Sequence, residues 1–124
     1  INVLTGREET LFPCLMVGGK GGMTATAGIL PEIMVDLYDA WKNKNYAEAK
    51  RLQESILLIL RTMFSLPFPL GFKCAMEMRG FKMGPPKQPL SDAERFNYRN
   101  TKVRIEKIMN PILERLKKDQ KASA

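Results

Sequence analysis

The residues able to do chemistry are few and lie mostly near the start of the chain. Glu8 and Glu9 are adjacent and follow Gly6 closely, and a carboxylate pair is raw material for general acid–base work. Two acids ahead of a helix also simply complement its dipole, and on spacing alone that plainer role is the stronger one. Lys20 stands inside Gly18-Gly19-Lys20-Gly21-Gly22, which invites a phosphate-loop reading. Spacing defeats it: Cys14 stands where the first glycine is needed, and Gly21 stands where a Ser or Thr hydroxyl should follow the lysine. A dinucleotide fingerprint counted from Gly19 fails too, because it ends on Thr24. The glycines read instead as a helix C-cap and a tight turn.

A lysine nucleophile needs a pKa lowered by burial or by a cationic neighbour. Lys20 in its glycine turn and Lys73 in an outer helix offer neither. Cys14 and Cys74 lie far apart among apolar neighbours and read as two buried free thiols of a reducing compartment, so a cytoplasmic location is expected. The chain contains no histidine, which excludes a Ser-His-Asp triad, a Cys-His pair and a His-ligated metal within these residues. The methionines at 16, 34, 63, 76 and 78 read as core filler.

The elements that must position these groups follow from periodicity. Ile1 to Thr5 is a short β-prone run ending at Gly6. Leu11, Phe12, Leu15 and Met16 then form one face of a short helix, with Thr10 as N-cap and Pro13 tolerated in the first turn. Gly21 to Thr26 reads as a second strand of small residues, and Pro31 opens a helix whose apolar face is Met34, Leu37, Tyr38 and Trp41. Strand, helix, strand, helix with short links is the rhythm of a parallel βαβ unit.

Beyond it the pattern is helical. Asn45 to Glu48 has capping-box spacing and starts a long helix with a buried stripe of Ala49, Leu52, Ile56, Leu57, Leu60, Met63 and Phe64. Pro67 and Pro69 break the chain, and a short helix is expected from Leu70 to Arg79. An extended linker follows from Lys82 to Gln88. Ser91 to Glu94 is a second capping box, opening a final helix expected to be interrupted at Asn110-Pro111. Two parallel strands cannot cover both of their own faces and edges. The chain begins on Ile1 within a strand-like run, with no charged and apolar leader, so it reads as cut from a longer chain whose other strands finish the sheet.

Composition is that of a globular chain, 44% hydrophobic and 27% charged, with no run apolar enough to span a bilayer. Of the net charge of +7, five charges lie from Arg99 onward, where eight Lys/Arg meet three Asp/Glu. Glu106, Glu114 and Asp119 interrupt that basic run, and no aromatic ladder accompanies it, so neither nucleic acid nor membrane is expected as a partner. The alternative to a piece of a longer chain is a stand-alone helical interaction module whose basic tail meets an acidic partner.

Four stretches resemble the last part of the family that includes 4-hydroxy-tetrahydrodipicolinate synthase and N-acetylneuraminate lyase. They are Val3-Leu4-Thr5-Gly6-Arg7-Glu8-Glu9, Gly18-Gly19-Lys20-Gly21-Gly22-Met23-Thr24, Pro67 to Ala75 followed by Gly80, and Pro86-Lys87-Gln88-Pro89-Leu90-Ser91. No single motif is specific, but their order and spacing cover essentially the whole chain without an insertion. The resemblance implies an α/β fold, the C-terminal part of a (β/α)8 TIM barrel. Residues 1–43 would be its last two βα units and residues 44–124 a C-terminal helical domain.

It also implies a class I mechanism, in which a barrel lysine forms a Schiff base with pyruvate while a tyrosine moves protons. The enamine then adds to, or leaves, an aldehyde or 2-oxo-acid partner. Both groups lie upstream of Ile1 in the family, so residues 1–124 alone are expected to carry no catalytic residue and to be inactive. Met23 matches the position whose backbone approaches pyruvate. Gly6, Glu8 and Glu9 match positions that contact a hydroxyl-bearing substrate tail in the sialic-acid-cleaving branch, and Ala25 replaces a serine of that branch. Gly28 stands where many members of the family carry asparagine, and Arg7 is neither the small nor the aromatic residue expected at its position; these departures argue against sialic acid itself. Neither metal nor organic cofactor is expected, and the family's habit implies a homotetramer.

Overall fold

In the computed structural model, which describes residues 1–122, the expected βαβ order is present. β1 (Leu4–Thr5) leads through a 3-10 turn (Glu8–Thr10) into α1 (Leu11–Met16), and β2 (Gly21–Gly22) leads through a second 3-10 turn (Ala25–Gly28) into α2 (Pro31–Lys42). Four helices follow: α3 (Tyr46–Ser55), α4 (Leu57–Phe64), α5 (Leu70–Met78) and α6 (Asp92–Ala122). The chain folds as two compact units that divide after Leu60.

In the first unit β1 and β2 pair in parallel, Leu4 opposite Gly21 and Thr5 opposite Gly22. The ladder extends one step each way, from Lys20 N–H to the Val3 carbonyl (2.8 Å) and from Met23 N–H to the Thr5 carbonyl (2.9 Å). α1 ends because Gly18 adopts φ +98°, which lets Gly19 N–H reach back to the Cys14 carbonyl (2.8 Å) and Gly18 N–H to that of Leu15 (3.2 Å). The glycine pair is thus the helix cap expected of it.

The second strand is shorter than its run of small residues suggests, since only Gly21 and Gly22 are strand. Thr24 is still extended, but Ala25 turns into a 3-10 turn because β1 has already ended and no ladder partner remains. Thr10 precedes α1 as expected but does not cap it with its side chain. Its hydroxyl instead donates to the Arg7 carbonyl at 3.0 Å and lies 2.8 Å from that of Thr5.

Pro31 opens α2, which buries Ile33, Met34 and Leu37 and leaves Tyr38 and Trp41 half-buried, their ring centroids 5.4 Å apart. Each such aliphatic side chain contributes about 1.5–3 kcal/mol of transfer free energy. α2 packs on α3. Asn45 caps α3 by accepting the Glu48 N–H at 3.3 Å.

The long helix expected after Asn45 is divided at Ile56, where the Ser55 hydroxyl donates to the Leu52 carbonyl at 2.7 Å and competes for an acceptor of the last turn. Ala49, Leu52, Ile56, Ile59, Leu60 and Met63 are buried, whereas Leu57 is half-buried and Phe64 exposed.

In the second unit α5 packs on α6. α5 buries Leu70, Phe72, Cys74 and Ala75, and α6 buries Thr101, Ile105, Met109 and Leu116 at helical spacing. α6 begins with a reciprocal capping box. Ser91 N–H and Oγ–H both donate to Glu94 Oε2 (2.8 and 2.7 Å), and Glu94 N–H donates to Ser91 Oγ (3.3 Å). The expected interruption at Pro111 does not occur. The ring removes one donor, yet the buried face on both sides of it holds the helix continuous.

Cys74 is buried as expected, while Cys14 is only half-buried; both are free. Burial pushes the Cys74 thiol pKa up, partly offset by its hydrogen bond with Tyr98. Among the described residues no helix is long and apolar enough to cross a membrane.

Candidate functional site

The two turns that follow β1 and β2 carry every residue singled out for substrate contact. In the first, Thr5 folds the chain onto itself: its Oγ1 accepts the Arg7 N–H at 3.1 Å, and the Thr10 N–H reaches the Arg7 carbonyl at 3.2 Å. Gly6 lies exposed at the bend. Arg7 pairs with Glu9 at 2.9 Å, an exposed contact of little energetic weight. The other Glu9 oxygen, Oε2, is buried and accepts no hydrogen bond among the described residues, so the turn holds an unused acceptor.

Glu8 is placed quite differently from its neighbour. Only 2% of it is exposed, and its Oε1 accepts both the Thr26 N–H and the Thr26 Oγ1–H, each at 3.0 Å. The Glu8 carbonyl accepts from Gln53 Nε2 at 2.8 Å, and Gln53 Oε1 accepts the Phe12 N–H at 2.9 Å. Phe12 lies in the first turn of α1, where a backbone N–H has no partner within the helix. One buried amide from α3 therefore fixes both the acidic turn and the helix it feeds.

In the second turn the Met23 side chain is 82% exposed, and its N–H is held by Thr5 as the last rung of the ladder. The backbone group that Met23 can offer a ligand is its carbonyl. Ala25 opens the second 3-10 turn and is exposed, whereas Thr26 beside it is fully buried. The structure thus joins Glu8 to the segment carrying Met23 and Ala25, and it keeps Gly6 and Glu9 on the same short turn as Glu8.

Thr26 and Gln53 were not among the residues picked out by sequence. Gln53 had a readable signal, since it falls on the buried stripe of Ala49, Leu52 and Ile56 at helical spacing. A buried polar side chain there needs partners. Thr26 had none, because its value lies in a contact eighteen residues away.

The two lysines weighed as nucleophiles lie in the environments the sequence suggests. Lys20 is exposed, and Lys73 Nζ donates to the Pro85 carbonyl at 2.9 Å. A cavity of about 290 Å³ beside β2 is lined by Leu11, Gly21, Gly22, Pro31, Met34 and Tyr38 among others, and its walls are largely apolar.

Comparison with known proteins places this geometry. The model of the dihydrodipicolinate synthetase family matches residues 1–108. A 4-hydroxy-tetrahydrodipicolinate synthase of Methanopyrus kandleri is 37% identical over 91 residues, which are 73% of this chain and 30% of that protein. Among solved structures, a prophage protein of the dihydrodipicolinic acid synthase family from Escherichia coli, in complex with pyruvate, superposes with a TM-score of 0.67 at 25% identity, over 87% of this chain and 37% of its own. The dihydrodipicolinate synthase of Bacteroides thetaiotaomicron gives 0.63 at 29% identity, over 81% of this chain and 36% of its own. The chain spans about a third of the length of the relatives it matches, and it is mostly helical.

Proposed function

Because the chain belongs to the dihydrodipicolinate synthetase family, we propose that it is the C-terminal segment of a pyruvate-dependent Schiff-base aldolase or lyase. In this reading residues 1–43 are the last two βα units of a TIM barrel, and residues 44–124 form a helical C-terminal domain. The reading rests above all on one observation: a parallel strand pair whose following turns are bound together through Glu8 and Thr26. Turns after parallel strands are where such barrels carry their chemistry. Exposed Val3, Leu4 and Met23 beside that pair fit further barrel strands covering them, as parallel sheets require.

The full-length protein condenses pyruvate with an aldehyde or 2-oxo acid, or runs the reverse cleavage. An upstream lysine amine attacks the pyruvate C2 carbonyl, water leaves, and loss of a methyl proton gives the enamine that forms the new carbon–carbon bond. Within this segment Met23 offers its carbonyl at the pyruvate end. Gly6, Glu9 and Ala25 face the partner's tail, and Glu8 shares the first turn with Gly6 and Glu9. The protein acts without a cofactor, as a homotetramer, and the segment alone is inactive.

Treating full-length protein and residues 1–124 separately with pyruvate and borohydride tests this. Intact mass should show a reduced adduct on the full-length chain and none on the segment. An adduct on residues 1–124, or none on the full-length chain, would refute it.

A further inference from the structure

We propose that Glu8 is a positioning residue for the pyruvate end of the site and acts through Thr26; this rests on the function just proposed and deepens it. A carboxylate oxygen offers two acceptor directions, and both of those on Glu8 Oε1 are taken, one by the Thr26 N–H and one by its hydroxyl. With 2% of the residue exposed, Glu8 faces inward to the protein and away from a substrate tail. The Glu8 backbone is itself held, because Gln53 Nε2 donates to its carbonyl at 2.8 Å.

The consequence falls on the segment between two fixed points. Met23 N–H is pinned to the Thr5 carbonyl at 2.9 Å and Thr26 N–H to Glu8 at 3.0 Å. Only Thr24 and Ala25 lie between them, so the direction of the Met23 carbonyl is set at both ends. Without the Glu8 bonds, Thr26 keeps two buried donors with no acceptor, and the segment is free to move toward water to satisfy them. Binding at the pyruvate end then weakens, although Glu8 touches no substrate.

The test uses full-length protein and pyruvate alone, reading the concentration that half-saturates borohydride-trapped adduct. Glu8→Ala and Thr26→Val should each raise it about tenfold, the loss expected of one charge-assisted hydrogen bond. The double variant should be no worse than Glu8→Ala, since removing the carboxylate already takes away the acceptor of both Thr26 donors, whereas Thr26→Val removes only the hydroxyl. Glu8→Gln keeps an acceptor oxygen and should stay within about twofold of the parent, which separates positioning from loss of fold. Amide exchange of residues 21–30 supplies a second reading, with Thr26 protection lost in Glu8→Ala and kept in Glu8→Gln.

Unchanged half-saturation in Glu8→Ala and Thr26→Val overturns the proposal, and so do fully additive effects or unchanged Thr26 protection. A parent protein that forms no adduct while its Thr26 amide is still protected through Glu8 refutes the pyruvate reading, and with it the role assigned to Glu8. An adduct with normal half-saturation in every variant refutes the positioning role alone.

Discussion

Glu8 and Glu9 show how little residue type alone decides. They are adjacent acids on one short turn, yet one is buried with its oxygen shared between two Thr26 donors, and the other is half-exposed against Arg7. The same contrast separates the cysteines. Cys74 is buried, hydrogen-bonded to Tyr98 and shifted toward the unreactive thiol by burial, whereas Cys14 is half-buried at the end of α1. Only the thiolate attacks a disulfide reagent, and it must also be reached. In the native protein Cys14 is therefore expected to label at least several-fold faster than Cys74, followed by mass spectrometry of the modified peptides. Equal rates, or Cys74 first, would contradict the burial described here.

At the scale of elements, end chemistry sets where helices start and stop. α6 opens on Ser91 and Glu94, and the hydrogen bonds from Ser91, backbone first and then side chain, hold the Glu94 carboxyl below its ordinary value. A depressed folded-state pKa contributes stability that is present above the unfolded value, about 4.3, and is lost as pH falls through the folded one. The first turn of α6 should thus loosen below about pH 4, seen as lower amide protection at residues 94–97 relative to the intrinsic exchange rate at each pH. Ser91→Ala should bring the same loosening at neutral pH, and identical exchange in that variant would sink the assignment.

Helix continuity, by contrast, was decided away from the ends. Pro111 left α6 unbroken because Ile105, Met109 and Leu116 bury one face across it. Where α3 gives way to α4, the Ser55 hydroxyl donates to the Leu52 carbonyl of the last turn.

At the scale of the molecule, the first unit leaves Ile1, Val3, Leu4 and Met23 exposed around a two-stranded parallel pair. Unpaired strand edges and apolar surface of this kind promote association. Residues 1–124 expressed alone should sediment as aggregates or unfold without a sharp transition. The full-length protein should stay dispersed under the same conditions. A dispersed, cooperatively melting monomer of residues 1–124, with salt-sensitive binding through the basic stretch from Arg99, would favour a helical interaction module instead.

The sequence alone determined the βαβ order, the glycine cap of α1, the proline start of α2, the Asn45 N-cap of α3, the capping box of α6 and most of the buried stripes. Each of these is written in residues three to seven positions apart, and such local preferences act wherever the chain goes. The motifs between Val3 and Ser91 carried the family likeness as well, and the family model over residues 1–108 agrees with it. Only the tertiary structure decided that β2 stops at Gly22, that Thr26 turns to Glu8, and that Gln53 reaches across from α3 to hold the acidic turn. Those contacts join residues eighteen and forty-five positions apart. They exist because buried donors and acceptors must find partners in space, and separation along the chain does not record which ones they will be.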